Sequence, residues 1–425
     1  MKPNNMKTFH LLVFLFCTIA NVFGQDSTVP KKSLLTQQNL TGNWGGGRSW
    51  LNEHGVTILP RVSTFYEGMV SGTGNNNFEF GGKADVQIIL NGEKLGLWKG
   101  LKIVTHTEYN FGNSTNGYGG VFLAKNTALF FPGIKGAARF DITSLFIAQS
   151  IGTNKTLMVG KINMVDIAGS TRFSGGAGID NFENIAFAAP PSGLVPPYIF
   201  GSLFSIKTKA LNYTFGIYDP TSVVNKSGFE APFKTGVTFF SSFERPVKIG
   251  GKQGAHSLKA IFSTQSGISL GSLADLIIPP EIANPIIIKK NRFYVGYSFN
   301  QYLFQPTADV EKGWGIFGTV AFSDGDPTPI DWSVLVGIGG NSPIKNRIND
   351  KWGIGFFHTS ISPGLKKSAI IVSSLIFNDE SGYEAFYMAE LCPWFKLGVD
   401  MQLINPVFEK NKMAFFIGLR SSIKL

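Results

Sequence analysis

Short segments of alternating side-chain character run through most of this chain and constrain its fold more than any other feature. From Leu101 to Phe111 the odd positions are apolar or neutral, whereas the even positions include Lys102, His106, Glu108 and Asn110. This two-residue period is typical of strands with two different faces. About 16 to 18 such segments occur, most of them near the length that crosses a membrane as a tilted strand. The pattern predicts an all-β fold, a transmembrane antiparallel β-barrel of about 16 strands (16–18), with apolar side chains facing lipid and polar ones facing water.

A soluble all-β protein such as a sandwich or a propeller is the alternative. No repeat of fixed period is present, as a propeller would need, and the final segment alternates up to Leu425, as expected of a closing strand. The predicted strands lie near residues 56–66, 83–91, 101–111, 139–150, 155–162, 198–218 (two strands), 234–244, 256–264, 292–300, 314–322, 331–340, 351–360, 367–378, 382–391, 394–404 and 412–425.

Composition excludes two other classes of protein. Beyond the first two dozen residues, no stretch reaches the roughly 18 to 20 apolar residues of a membrane helix, which excludes a helical membrane protein. With 43% hydrophobic and only 16% charged residues, the chain is also too apolar to be disordered. The 50 glycines and 38 phenylalanines suit many short strands better than a helix-rich enzyme.

The first 24 residues have the pattern of a secretory signal peptide. Lys2 and Lys7 precede the largely apolar run Phe9–Ala20, and Gly24 offers a small residue for cleavage. We expect the mature chain to start near Gln25, which lowers the formal net charge from +10 to +8 because two lysines are removed. Export together with the strand pattern predicts a multi-pass barrel in a Gram-negative outer membrane.

Three separated blocks of the sequence resemble one family of porins. They are Leu40–Arg48 with Trp50–Val56; Gly160–Asp166 continued by Phe173, Phe182, Phe187 and Pro190–Pro191; and Glu384, Tyr387, Glu390, Asp400–Gln402 and Asn405–Pro406 with Gly418–Arg420. In these residues the chain is similar to the carbohydrate-selective outer-membrane porins of the OprB type. The resemblance implies a barrel of about 16 strands that lets sugars diffuse through, with a short amino-terminal helix on the periplasmic side. We therefore expect a signal peptide over 1–24, an amino-terminal segment with this helix over 25–55, and the barrel over 56–425.

The connection Asp166–Tyr198 is predicted to fold into the barrel and narrow the pore. It is long for a loop without a strand, and such loops are usually functional or disordered. Within it, Gly175–Glu183 matches a calcium-binding nonapeptide in full. That chemistry needs stacked copies to complete the oxygen shell, and only one copy is present. We interpret the segment as a glycine-rich bend and predict no metal and no other cofactor, with a single bound calcium ion as the alternative.

Polar side chains of the inward face and of this loop are the predicted constriction and substrate-binding residues. Their hydrogen-bond donors and acceptors can replace the water that a sugar loses, and binding must stay weak so that the solute can leave. We expect Arg172 to oppose Glu384 and Glu390, and a solvated or salt-bridged wall residue is the alternative interpretation for each position. The set comprises Arg172, Asp180 and Glu183 from the loop and His106, Glu108, Arg292, Glu384, Glu390, Lys396, Asp400, Gln402 and Arg420 from the strands.

These patterns predict a passive channel for mono- and oligosaccharides and not an enzyme. The histidines of the mature chain are His54, His106, His256 and His358, and none lies in a recognisable nucleophile motif. A general or anion-preferring porin, favoured by the positive charge, is the first alternative, and an outer-membrane enzyme the next. The expected partners are permeating sugars, outer-membrane lipid and the barrel assembly machinery, with no nucleic acid. A homotrimer and a monomer both stay open.

Overall fold

Sixteen strands form a closed antiparallel barrel, which confirms the predicted fold class. The computed structural model describes residues 33–279, 281–306 and 309–425, so the predicted signal peptide lies outside the described residues. The barrel strands are β1 (Val56–Ser71), β2 (Phe78–Asn91), β3 (Leu101–Gly112), β4 (Phe140–Ile151), β5 (Lys155–Asn163), β6 (Tyr198–Lys207), β7 (Asn212–Tyr218), β8 (Thr238–Ile249), β9 (Lys252–Ser263), β12 (Arg292–Phe304), β13 (Trp314–Ser323), β14 (Ile330–Asn341), β15 (Lys351–Ile361), β16 (Glu380–Cys392), β17 (Phe395–Asn405) and β18 (Ala414–Lys424). A separate two-stranded sheet pairs β10 (Gly267–Ile268) with β11 (Ile288–Lys289).

Helices occupy the ends and the connections of the barrel. The α-helices are α1 (Gly47–Glu53), α2 (Thr127–Phe130), α3 (Met164–Gly169), α4 (Ile185–Ala188) and α5 (Pro363–Ser373). Short 3-10 turns lie at Trp44–Gly46, Tyr118–Gly120, Gly136–Arg139, Leu270–Ser272 and Ala274–Leu276. Within the described part of the chain, none of the helices has the length and apolar character needed to cross a membrane.

The barrel closes where the first strand pairs with the last. The register runs from Arg61 opposite Lys424 to Ser71 opposite Phe415, so every barrel strand has two neighbours and no edge stays unpaired. Arg48 of α1 donates to the backbone oxygen of Leu425 at 2.7 Å. This bond holds the amino-terminal helix at the end of the barrel where the strands are joined by short turns, here called the turn end; the opposite end is the loop end.

The alternation predicted from the sequence is present on the strands. On β12, Phe293, Val295 and Tyr297 are exposed on the outer surface, whereas Tyr294 between them is buried. On β3, His106 and Glu108 are buried on the inner side. Outward side chains are therefore mainly apolar, as a lipid-facing wall requires.

The predicted strand at 367–378 is wrong, because the helix α5 covers most of it. Pro363 occupies the start of this helix, where its missing N–H costs nothing and its fixed φ suits the helix. Contacts outside the segment then favour the helix: Ser368 donates to the backbone oxygen of Leu270 at 2.5 Å, and Lys366 pairs with Asp379 at 2.7 Å. A run of β-branched residues predicts a strand from local propensity, but these tertiary contacts override that preference.

Two long connections fold into the barrel and pack against one side of its inner wall. Loop A comprises residues 113–139 between β3 and β4, and loop B comprises residues 164–197 between β5 and β6. Their apolar core contains Phe182 and Phe187 of loop B, which stack with ring centroids 4.5 Å apart. Phe182 also meets Phe386 of the wall at 4.9 Å. The inward folding of loop B agrees with the fold predicted from the sequence.

Inward glycines on β15 make room for these rings. A Cβ atom at Gly353 would lie 2.7 Å from Phe182, and one at Gly355 would lie 2.5 Å from Phe187. Such separations are too short for carbon atoms in van der Waals contact. Part of the high glycine content thus serves the close approach of a loop to the wall rather than the strands themselves.

Candidate functional site

A carboxylate of the barrel wall fixes the first turn of α4 in loop B. Glu384 on β16 accepts the backbone N–H of Glu183 at 2.5 Å and that of Asn184 at 3.0 Å. Asn184 caps the helix by accepting the N–H of Ala186 at 2.9 Å, and its amide donates to Gln402 at 3.1 Å. Hydrogen bonds to a charged acceptor are stronger than neutral ones, so this contact is a main attachment of loop B.

A buried network of four charges joins both loops to the wall next to this contact. Lys125 of loop A donates to Glu67 on β1 and lies 3.8 Å from one oxygen of Glu183, while Arg420 on β18 lies 3.6 Å from the other. These side chains are at most 2% exposed, and each cation lies next to a carboxylate, which offsets part of the cost of its burial. Burial, and then the nearby Asp400, raise the pKa of Glu183. Burial would lower the pKa of Lys125, but Glu67 and Glu183 raise it above its usual value.

The aspartate of the nonapeptide segment is held by cations of the protein. Lys396 on β17 lies 2.8 Å from Asp180, and Arg61 on β1 lies 3.4 Å from it. Burial alone would raise the pKa of Asp180, but Lys396 and Arg61 outweigh it and lower the pKa to about 2. The chain bends here through Gly176 and Gly178, which have φ values of 106° and 77°, so the segment is a glycine-rich bend whose carboxylate binds wall residues.

Two further predicted residues on β3 contact the same loops or their surroundings. His106 Nδ1 lies 2.7 Å from Asp166 of loop B, and its Nε2 lies 3.4 Å from Asp85 on β2. Glu108 accepts from Lys83 at 2.6 Å. These groups are buried with partners of opposite charge, which offsets their desolvation.

Most of the predicted constriction residues are thus brought together, but in the contact layer between the loops and the wall. Their partners are loop backbone, loop carboxylates and other wall charges, which corresponds to the alternative interpretation of salt-bridged wall residues. The residues in this layer are His106, Glu108, Asp180, Glu183, Glu384, Lys396, Asp400, Gln402 and Arg420.

The expected pairing of Arg172 with Glu384 and Glu390 is wrong. Arg172 donates to Asn300 on β12 at 3.3 Å, and its guanidinium carbon lies 4.9 Å from the ring centroid of Tyr302. The Glu384 carboxylate is occupied by loop B amides. Glu390 lies near the turn end, where it accepts from Asn349 at 2.9 Å. Because the carboxylates are engaged by nearer donors, Arg172 is left to face the other half of the barrel.

That other half contains a cavity of about 1560 Å³. Loop B forms one side of it and the inner wall around β6–β9 and β12 forms the other. The lining reaches from Arg292, the first residue of β12 at the loop end, to Glu311 in the connection after β12 at the turn end. The cavity therefore extends along the height of the strands, and we call it the passage. Its charged lining residues are Arg172, Lys207, Lys209, Lys248, Lys259, Arg292 and Lys351 against Glu244 and Glu311.

A band of hydroxyl groups crosses the wall of the passage. Cross-strand neighbours are Thr214 with Ser242, and Ser257 with Ser298. Thr214, Ser242, Ser257 and Ser298 all line the cavity, and Ser242 lies within 3.4 Å of Ser257. Together with Asn300 these groups offer donors and acceptors at several heights.

Sequence reasoning predicted Arg172 and Arg292 of the passage lining but missed Lys259 and the hydroxyl band. A signal was available on β9, where Leu258, Ala260 and Phe262 alternate with Ser257 and Lys259. Loop A was also missed, although its 27 residues exceed the usual length of a connection.

The arrangement can hydrate and guide a polar solute without reacting with it. Alternating donors and acceptors replace water around a hydroxyl-rich molecule, while no group of three or more His, Cys, Asp or Glu side chains able to hold a metal ion occurs among the described residues. Weak and repeated contacts of this kind allow a solute both to enter and to leave.

Comparison with known proteins gives a family and a fold. The sequence profile of the family described as carbohydrate-selective porin, OprB family, matches residues 79–425. No curated protein sequence matches the chain. Among solved structures, the high-pH structure of OprB from Pseudomonas putida is similar with a TM-score of 0.79 at 16% identity, covering 93% of this chain and 100% of that chain.

Two further structures are similar at lower scores. The low-pH structure of Pseudomonas putida OprB has a TM-score of 0.56 at 13% identity, covering 92% of this chain and 99% of that one. The outer-membrane channel DcaP of Acinetobacter baumannii has a TM-score of 0.53 at 10% identity, covering 87% and 97%. At these identities the structures support the barrel fold, and the family match carries the function. The chain belongs to the carbohydrate-selective porins of the OprB family and is an outer-membrane β-barrel channel for carbohydrates.

Proposed function

We propose that carbohydrates cross this porin through the passage between loop B and the hydroxyl band. The observation that carries the proposal is the division of the lumen, in which loops A and B fill one side and the cavity of about 1560 Å³ lies on the other. A hydrated sugar needs polar contacts to replace lost water. Ser257, Ser298 and Asn300 supply them on the wall, and Arg172 supplies a donor from the loop.

Transport through this route is passive and needs no conformational step. Hydroxyl and amide groups bind sugar hydroxyls about as well as water does, so the net free energy of each contact is small. Arg172 is held against Asn300 and Tyr302, so its position is fixed before a solute arrives. A narrow region with weak fixed contacts selects for hydroxyl-rich solutes without trapping them.

Cysteine labelling tests the route. Cys392 is the only cysteine outside the predicted signal peptide and is buried, so a Cys392→Ser protein provides a background without reactive thiols. In that background, Ser298→Cys should react with a methanethiosulfonate reagent and lose conductance and sugar uptake. Ser63→Cys is the matched control, because Ser63 on β1 is 0% exposed and lies on the loop-filled side.

The proposed route would be contradicted if the reagent reduced the conductance of Ser63→Cys. It would also be contradicted if Ser298→Cys still conducted normally after complete labelling. Mass spectrometry of the labelled protein separates a failure to react from a failure to block. The conductance and the extent of labelling can both be measured without knowledge of the natural sugar.

We also propose the domain organisation and partners expected from the sequence. Residues 1–24 would be removed, 25–55 would carry the helix α1 at the turn end, and 56–425 would form the barrel. Outer-membrane lipid would contact the outward apolar side chains, such as Phe293 and Leu419, which are 46% and 51% exposed. The assembly machinery would act on β18. A homotrimer stays an alternative to a monomer, and the mass of the detergent-extracted protein by light scattering discriminates between them.

A further inference from the structure

We propose that the passage favours saccharides that carry an oxyanion group, a carboxylate or a phosphate, and that Lys259 is the residue that determines this preference. The inference rests on the proposed route and adds the class of substrate. It arises from a lysine in the middle of the passage wall that differs in its contacts from the lysines on the loop-filled side.

Lys259 has no carboxylate within salt-bridge distance among the described residues. Its ammonium group lies 6.0 Å from the ring centroid of Phe240. Its cross-strand neighbours are Ser242 on β8 and Gly296 on β12, neither of which carries charge. The side chain is half-buried and lines the cavity. A cation in this position has an aromatic ring nearby but no carboxylate, so an anionic solute can supply the missing counter-charge.

The inward lysines on the loop-filled side are different. Lys83 lies 2.6 Å from Glu108, Lys161 lies 2.8 Å from Asp141, and Lys125 donates to Glu67. Each of these lysines already has a carboxylate, which offsets the cost of its burial. The unpaired state of Lys259 is therefore a local property of the passage and not a general feature of this lumen.

Cations recur along the passage at regular heights of β12. Arg292 begins the strand at the loop end, Lys259 pairs across from Gly296, and Arg172 contacts Asn300. These three levels are four residues apart, which corresponds to roughly 13 Å at the rise of an extended strand. An anion leaving one cation is thus within one or two molecular lengths of the next, which draws it through the passage.

Acidic residues near this series are few and partly engaged. Asp324 lies 3.9 Å from Arg292, and Glu244 accepts from the Asn212 amide at 2.8 Å. Arg292 is also held by the Gly193 backbone oxygen at 2.9 Å, so its charge is partly satisfied. Lys259 and Arg172 have no carboxylate within 4.0 Å among the described residues and lie at the middle levels of the passage. The other lining lysines without such a partner, Lys207, Lys209, Lys248 and Lys351, lie at the turn end.

The hydroxyl band indicates a saccharide rather than an inorganic anion. Ser242 is directly opposite Lys259, and Ser257 is two residues from it on the same inward face. A small inorganic anion would use the ammonium group but leave these hydroxyls to water. A sugar acid or sugar phosphate would use both, since its oxyanion meets Lys259 while its hydroxyls meet the serines.

Liposome-swelling rates with glucose, glucuronate and glucose 6-phosphate test the proposal on the parent protein, Lys259→Met and Lys155→Met. Lys155 is an exposed lysine at the start of β5 that does not line the passage. In low salt, the parent should pass at least one of the anionic sugars faster than glucose. Lys259→Met should lower the ratio of the anionic-sugar rate to the glucose rate roughly fivefold, as one charge in contact would give. High salt should weaken the effect, and Lys155→Met should behave as the parent.

The outcomes are distinguishable. Preference for glucuronate alone or glucose 6-phosphate alone supports the proposal and identifies the oxyanion. Equal rates for all three sugars in the parent overturn it while leaving the route intact. Equal loss of all three sugars in Lys259→Met also overturns it, because Lys259 then serves only as wall. A further outcome is a reversal potential in chloride that depends on Lys259, with no faster passage of the anionic sugars. The passage would then select small anions only, and this result also overturns the proposal. If the parent passes no sugar, the proposed function itself fails.

Discussion

Phe182 packs loop B against the barrel wall, and its truncation should widen the lumen without unfolding the barrel. It is 0% exposed and its ring lies 4.5 Å from that of Phe187, 4.9 Å from that of Phe386 and 5.6 Å from that of Phe317. A buried phenylalanine truncated to alanine costs about 3–5 kcal/mol, including the cavity left behind.

This cost falls on the docking of loop B, because the wall keeps its own backbone hydrogen bonds. A loss of about 4 kcal/mol shifts the equilibrium between docked and undocked loop by roughly a thousandfold. Loops that carry function belong to the less stable parts of a protein, so we expect Phe182→Ala to populate the undocked state. The open lumen then becomes wider, and conductance rises.

Single-channel recording and limited proteolysis measure the two consequences. Phe182→Ala should show a larger or fluctuating conductance and faster cleavage within loop B, while the barrel still migrates in its folded form on an unheated gel. Phe229→Ala is the matched control, since Phe229 is 71% exposed in another loop. Unchanged conductance together with unchanged protection of loop B would refute the argument that this aromatic core positions the loop.

Three other changes test the wall, the loop attachment and its charge. Ile417→Arg places a charge on the lipid side of β18 and should cost about 2–4 kcal/mol of barrel stability near the membrane midplane. Gels should then show less heat-modifiable barrel, whereas normal assembly would contradict the assignment of Ile417 to the lipid side. Glu384→Gln keeps the shape but weakens two hydrogen bonds to loop B, at about 1–3 kcal/mol, and should increase current noise, whereas a silent trace would exclude Glu384 as an attachment. Because the folded pKa of Asp180 is lowered to about 2, its pairing with Lys396 is fully present above its unfolded pKa of about 3.9 and is lost as pH falls toward 2. Loop B should therefore loosen in that acid range, and Asp180→Asn should remove this part of the pH dependence of conductance.

The outward half of each strand could be predicted from the sequence, whereas the inward half could not. Lipid imposes one requirement on every outward position, so alternation such as Phe293, Val295 and Tyr297 is enough to predict it. Inward positions were expected to face water, but Phe416 on β18 is 1% exposed and lies 5.5 Å from the Lys125 ammonium group. Its environment is set by loop A, which the strand pattern of β18 does not contain.

The same limit explains the predicted site. Glu384 and Arg420 were correctly expected to point inward, but their partners come from Glu183 in a loop far away in sequence. Only the fold decides which carboxylate accepts from a loop amide and which cation has no carboxylate partner. Arg172 is an example: it was expected to oppose Glu384 and Glu390, but it contacts Asn300 and Tyr302 instead.

This selection of partners determines where in the barrel the positive charge of the chain lies, which is +8 without the two lysines of the predicted signal peptide. A cation beneath a packed loop requires a carboxylate, because an unpaired buried charge is costly, and Lys83, Lys125 and Lys161 each have one. A cation that faces an open, hydrated lumen has no such requirement. Loops A and B therefore concentrate acidic residues on the side that they cover, and part of the basic surplus remains along the passage. In this way the packing of two loops sets the sign of the field that a permeating solute meets.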